Sequence, residues 1–203
     1  MKKILLFSVL VAMVAASCKK NPGNPSIIVT ASFPTITQTN AYFSTPVGGS
    51  LPAGSSIGTA YDSVYKTNIS LVVIDTNVHT SVPGLYQCTA TATNKYGYVS
   101  SVTYFVAVTN LSFTPNLPGA YQMGGNDSAQ NNVALFETGY YSMDNYGGVN
   151  ILANPGTGTQ ALFAIITDST IAFTDANFGT VGSITYATGD TSLIYNGMTY
   201  SKP

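Results

Sequence analysis

The chain has 203 residues, with seven lysines, no arginine, eight acids and one histidine, giving a formal charge of −1. Clustered Lys and Arg are what neutralise phosphates, so this balance excludes a nucleic-acid surface. One histidine and two cysteines leave no ligand set for zinc, and neither metal nor cofactor is expected. Only 7% of residues are charged against 45% hydrophobic, so neutral Thr, Ser, Asn, Gly and Tyr must carry solubility, as they do in exported β proteins.

Met1-Lys2-Lys3 precedes an apolar run from Ile4 to Ala16 that is interrupted only by Ser8. Thirteen residues are too few to cross a bilayer as a helix, which takes about 20, so the run reads as an export signal. Val14-Ala-Ala-Ser-Cys18 resembles a bacterial lipobox, whose cysteine is lipidated before cleavage. The alternative is an ordinary Ala-x-Ala site beside an incidental cysteine. On the lipobox reading, residues 1–17 are the signal peptide and Cys18 carries the lipid that ties the protein to a membrane. The mature 186 residues then hold five lysines against eight acids, a charge of −3. Cys88 becomes the only thiol left, so no intramolecular disulfide can form. Residues 18–25, ending Lys19-Lys-Asn-Pro-Gly-Asn-Pro25, form a polar tether. No aspartate follows Cys18, a cue that in such lipoproteins favours the outer membrane, on its periplasmic or surface face.

From Ser26 onward, short apolar or alternating runs are broken by turn residues every 8–12 positions or so, the signature of an all-β chain. The segment Asn110 to Gly119 carries two prolines, so residues 26–110 and 120–203 read as two β domains joined by a linker, 111–119. Strands are expected at Ser26–Thr30 and Ile69–Ile74. In Leu85–Asn94, Tyr86, Cys88, Ala90 and Ala92 alternate with Gln87, Thr89, Thr91 and Thr93, one apolar face and one polar. After a turn at Asn94–Gly97, Val102, Tyr104, Val106 and Val108 line one face of the returning strand.

Pro83-Gly-Leu-Tyr-Gln-Cys88, then Ala92-Thr-Asn94 and Gly97, resembles the F–G segment of an immunoglobulin-like sandwich, with Tyr86 at the tyrosine-corner position. The tryptophan and partner cysteine of antibody domains are missing, so the resemblance is to Ig-like repeats of bacterial surface proteins. The second domain offers eight segments: Ala120–Met123, Asn132–Thr138, Val149–Leu152, Ala161–Thr167, Thr170–Phe173, Ser183–Tyr186, Ser192–Tyr195 and Met198–Tyr200. Gly189-Asp190 and Asn196-Gly197 are tight turns between them. Such a meander closes into a barrel or folds into a sandwich. With Gly84-Leu-Tyr86, Thr93–Gly97, Tyr140–Asp144, Tyr146-Gly-Gly148 and Asp168–Phe173, the whole resembles a family of Gram-negative, Bacteroidetes-type lipoproteins of unknown function. That family joins an N-terminal Ig-like domain to a C-terminal calycin-like antiparallel β domain.

No residue set identifies a reaction. His79 lacks a nucleophile motif and reads as a loop residue. Glu137 and Asp144 could act as a glycosidase pair only if they face each other; otherwise Asp144 caps a turn. Asp168 and Asp175 lack the spacing of a calcium loop. Cys88 belongs to an apolar strand face and reads as core. The binding candidates are Tyr140, Tyr141 and Tyr146 around Asp144, on a glycine-bearing loop where rings could stack on a sugar, with Tyr96 and Tyr98 as a second platform. Structural tyrosine is the alternative. Asp62-Ser-Val64, Asp127-Ser-Ala129 and Asp168-Ser-Thr170 resemble sites of extracytoplasmic O-glycosylation. The sequence thus points to a membrane-anchored, non-enzymatic accessory lipoprotein that binds a glycan or partner protein, with polysaccharide capture as the expected setting. A hydrolase using Glu137 and Asp144 and a calycin-like carrier of a small apolar ligand are the alternatives.

Overall fold

The computed structural model describes residues 31–74, 77–123, 126–145, 160–174, 181–187, 190–195 and 198–202. The signal peptide, Cys18, the tether and the strands expected at Ser26–Thr30 and Val149–Leu152 lie outside them, as do Tyr146 and the Asn196-Gly197 turn.

Seven strands in two sheets build the N-terminal half. One sheet runs β1 (Thr35–Gln38), β3 (Gly58–Asp62), β4 (Thr67–Ile69). The other runs β2 (Tyr42–Pro46), β7 (Val99–Thr109), β6 (Gly84–Thr93), β5 (Val72–Ile74). A single helical turn, α1 (Gly54–Ile57), leads into β3. All pairings are antiparallel except β2 with β7. The sheets close on a core of Ile57, Ala60, Leu71, Cys88, Ala90, Ala92, Tyr104, Val106 and Val108. Those are the faces that period-two alternation assigned to β6 and β7, and Cys88 is core as read.

The Tyr86 hydroxyl donates to the Val82 carbonyl at 2.9 Å, the bond that makes a tyrosine corner. Strand order departs from an immunoglobulin constant domain, because β4 follows β3 directly as its hairpin partner and β2 joins the β6–β7 sheet in parallel. The run expected as one strand, Ile69–Ile74, is broken at Ser70-Leu71. There the chain turns Leu71 into the core and passes from one sheet to the other.

The C-terminal half is a closed eight-stranded meander: β8 (Gly119–Met123), β9 (Asn126–Glu137), β10 (Tyr140–Met143), β11 (Ala161–Thr167), β12 (Thr170–Phe173), β13 (Val181–Ala187), β14 (Asp190–Tyr195) and β15 (Met198–Ser201). Each strand pairs with the next, and β15 returns to β8. Barrel, not sandwich, is therefore the outcome. Tyr121, Val133, Tyr141, Met143, Phe163, Ile165, Ile171, Phe173, Leu193 and Tyr200 all enter one buried interior cluster. An eight-stranded barrel is just wide enough for such side chains to fill it.

Val82-Pro-Gly-Leu-Tyr86 has a counterpart in Leu117-Pro-Gly-Ala-Tyr121, and there too the tyrosine hydroxyl donates to the carbonyl four residues back, at 2.8 Å. The same five-residue device opens β6 and β8. Leu117 is buried in the barrel cluster, so residues 111–119 are not a loose linker. The segment is a fastened strap: Ser112 donates through both its backbone N and its hydroxyl to the Asp168 carboxylate, and Lys202 Nζ reaches the Pro118 carbonyl at 2.8 Å.

The halves fuse into one compact unit, Ser32–Pro203. Phe105 and Ala107 of β7 point away from the sandwich core, and with Tyr42 and Leu85 they pack against Tyr140, Ala164, Ile166 and Ala172 on the outer face of β10, β11 and β12. Small residues at 107, 164 and 172 let the two sheets approach. Tyr42 stacks on Phe105 with centroids 5.6 Å apart and meets the edge of Tyr140 at 5.3 Å. The wholly buried Tyr140 donates its hydroxyl to the Phe43 carbonyl at 3.0 Å. Asn110 N also donates to Ile166 O at 2.8 Å, carrying β7 onto β11 through the backbone.

Tyr140→Phe is expected to cost about 1 kcal/mol, for one hydrogen bond, and Tyr140→Ala about 3–5 kcal/mol, for a large cavity. Denaturant unfolding of both variants checks this. Equal losses for the two would show that the ring is not packed as described.

Candidate ligand site at the seam

The sequence placed Tyr140, Tyr141, Asp144 and Tyr146 together on a loop, but Tyr140–Met143 is strand β10. Pleating sends successive side chains to opposite faces. Tyr140 therefore faces the sandwich, while Tyr141 faces the barrel interior and stacks on Phe163 with centroids 5.7 Å apart. Neither ring is presented on an open surface.

Asp144 and Asn145 spend their hydrogen bonds on β9: Asp144 Oδ1 accepts from Asn132 N at 2.6 Å, and Asn145 Nδ2 donates to Gln130 O at 2.9 Å. Asn145 N in turn donates to Asn131 Oδ1 at 3.1 Å. Asp144 is thus the local cap of the alternative reading, and Tyr146 lies outside the described residues.

Glu137 is at the β9–β10 turn, opposite Tyr140, whereas Asp144 is level with Asn132, five residues along β9. At about 3.3 Å per residue the two positions are roughly 16 Å apart, well beyond the ~5–9.5 Å of glycosidase carboxyl pairs. They do not form a catalytic pair. His79 is exposed in the loop before β6. Among the described residues, no three His, Cys, Asp or Glu side chains converge. Asp62 caps its own turn by accepting from Val64 N and Tyr65 N at 2.9 and 3.2 Å, as Asp168 secures the strap. Ser63 and Ser169, beside them, are exposed.

A cleft of about 470 Å³ opens where strap, sandwich and barrel rim meet. Ser44 of β2 and Thr109 of β7 form one wall, Thr138 and Gly139 of the β9–β10 turn another, and the strap residues Leu111–Pro115 a third. Tyr141 and Ile165 of the barrel also line it. Gly139 has φ +83°, and a Cβ there would lie 2.7 Å from Ser44, so only glycine lets this turn press against the sandwich.

Besides Tyr141, the lining carries five Ser and Thr hydroxyls, the half-exposed Phe113 and Leu111, and no charged group. That chemistry suits a neutral ligand with both hydroxyl and C–H faces. Sequence reasoning missed the site because its residues are dispersed. The one available signal was the apolar Leu111 and Phe113 within a segment read as a polar linker.

Burial of the tyrosines leaves an electrostatic mark. Tyr121 and Tyr200 are pushed up to about 12 from an ordinary 10.0, chiefly by desolvation, with Tyr141 nearby adding to the Tyr121 shift. Burial raises Tyr141 and, more strongly, Tyr140 as well.

No family model matches the chain, and no curated protein matches it. Among solved structures it is similar to a lipoprotein from Bacteroides thetaiotaomicron at 17% identity, covering 83% of this chain and 98% of that one, with a TM-score of 0.30. It is also similar to a Clostridium perfringens structure holding an M60 catalytic domain and two CBM51 domains. There the identity is 13% and the TM-score 0.33, over 82% of this chain but only 14% of that one.

Alkaline titration tests the buried rings. A tyrosine whose folded pKa is raised stabilises the fold fully below the unfolded value near 10, and that contribution is lost as pH rises through about 12. Tyrosinate absorbance should show Tyr121 and Tyr200 ionising only as the fold opens, and Tyr121→Phe should lessen the loss of stability between pH 10 and 12. Ionisation of every tyrosine near 10 in a still-folded chain would contradict this.

Proposed function

We propose that this chain is a lipid-anchored, non-enzymatic accessory lipoprotein whose seam cleft holds a neutral glycan segment. The observation that carries the reading is the uncharged cleft lined by hydroxyls and by Phe113, to which both β halves contribute. A sugar ring can lay its C–H face on Phe113 while Ser and Thr side chains bond its hydroxyls. The wide separation of Glu137 from Asp144 and the exposure of His79 support binding without hydrolysis. The sandwich acts as an Ig-like module fused to a calycin-like barrel. Anchorage rests on Val14–Cys18, and Lys19 in place of an aspartate after that cysteine favours the outer membrane.

A second reading, capture of a protein partner, has a different observation behind it. Leu135 and Phe136 are exposed on β9 beside a shallow groove formed by residues 38–42 and Glu137, and such patches mark interaction surfaces.

Two experiments test the proposal. Calorimetric titration of the mature chain against a panel of neutral polysaccharides should find a binder, with Phe113→Ala weakening it about 3- to 10-fold for a lost stacking contact. No binder in the panel, or no effect of Phe113→Ala, would move the reading to a protein partner. Cys18→Ser should abolish palmitate labelling and release the protein from the membrane fraction; retained labelling would refute anchorage at Cys18.

A further inference from the structure

An aromatic and basic cluster occupies the end of the sandwich that carries Ser32 and Phe33, at the start of the compact unit. The β3–β4 turn carries Val64, Tyr65 and Lys66, and the β6–β7 turn carries Lys95, Tyr96 and Tyr98. Tyr65 and Tyr96 meet with centroids 5.2 Å apart, Lys95 Nζ stands 3.6 Å from the Tyr65 centroid, and Phe33 packs on Tyr98 at 5.3 Å. Phe33 and Tyr96 are each 58% exposed and Val64 is 53% exposed. Asn94 braces the cluster: its Oδ1 accepts from Tyr96 N and Tyr98 N, both at 3.0 Å, and its Nδ2 donates to Ser32 O at 2.8 Å. Asp62, the acid of the β3–β4 turn, is buried and bonded to that turn's backbone.

Charge is also divided along the chain. Of the five lysines of the mature protein, Lys19 and Lys20 adjoin Cys18, and Lys66 and Lys95 are at this tip. Six of the eight acids, from Asp127 to Asp190, fall in the barrel half.

We propose that this tip is a second membrane contact, in which Phe33, Tyr96 and Val64 enter the headgroup layer while Lys66 and Lys95 meet anionic lipid phosphates. The proposal rests on lipidation at Cys18. The thirteen residues 19–31 can span no more than about 45 Å even fully extended, so the tip is held within reach of the bilayer. Tyrosine and lysine together suit a headgroup layer, because the ring is amphipathic and the lysine can extend its charge to the phosphates. A glycan fits less well, since Lys95 already covers the face of Tyr65 on which a sugar would stack. The contact would orient the seam cleft with respect to the membrane.

The test uses the unlipidated mature chain, residues 19–203, which contains the whole compact unit. Its partition is measured onto phosphatidylcholine vesicles with and without phosphatidylglycerol. Binding should require phosphatidylglycerol and fall in high salt. Lys95→Gln should weaken it about fivefold, one lysine's share at an anionic surface. Tyr96→Ala should weaken it further, and both variants should stay folded, losing only the surface ring and cation–π contacts at the tip. Failure to bind phosphatidylglycerol vesicles would overturn the proposal, as would binding that Lys19→Gln/Lys20→Gln removes but Lys95→Gln and Tyr96→Ala leave intact. Displacement from the vesicles by a soluble polysaccharide, with the same tip dependence, would overturn it in favour of a glycan site. Palmitate labelling reads Cys18 independently, so loss of the anchor and loss of the tip contact are told apart.

Discussion

The burial of Tyr140 between the two halves is the constraint from which the rest of the molecule follows. Its hydroxyl would be costly to bury without the Phe43 carbonyl, and that bond ties the barrel's β10 to the sandwich's β2. Around it, β7 and β11 are each buried on both faces: one row of side chains fills its own domain's core and the other fills the seam. Strands shared in this way cannot shift register without emptying two cores, because a one-residue slip exchanges the faces.

That rigidity bears on function. The strap, the β9–β10 turn and the barrel rim are held by Asp168, by the close approach of Gly139 to Ser44, and by the Tyr121–Leu117 hydrogen bond. A cleft formed by parts so fixed is preorganised, and preorganisation lowers the entropic cost of binding. The proposed glycan site needs no moving lid. The proposed lipid contact at the far turns of the sandwich would add orientation to mere tethering.

Much of this was legible in the residues. The alternation in Leu85–Asn94, the Asn94–Gly97 turn and the barrel strands 161–167 and 170–173 were expected close to where they lie. The strands β1, β2 and β3 were missed, since they are only four or five residues long and lack an aliphatic alternation. The seam left a clue in the unbroken apolar runs Tyr104–Val108 and Ala161–Ile166, which signal strands covered on both faces. The expected loop is a strand for a physical reason: Tyr140-Tyr141 between glycines reads as a loop, but once paired on both sides as β10, period two sends Tyr140 into the seam and Tyr141 toward the barrel interior and the cleft. The cleft is assembled from residues as far apart as Ser44 and Ile165, which no local pattern can join.

Sandwich and barrel are one folding unit rather than beads on a linker. Equilibrium unfolding of residues 32–110 alone, set against the intact chain, tests this most directly. Removing the barrel exposes Tyr42, Leu85, Phe105 and Ala107, so the isolated half should unfold at a clearly lower denaturant midpoint or fail to fold. A midpoint equal to that of the intact chain would show instead that the halves fold independently.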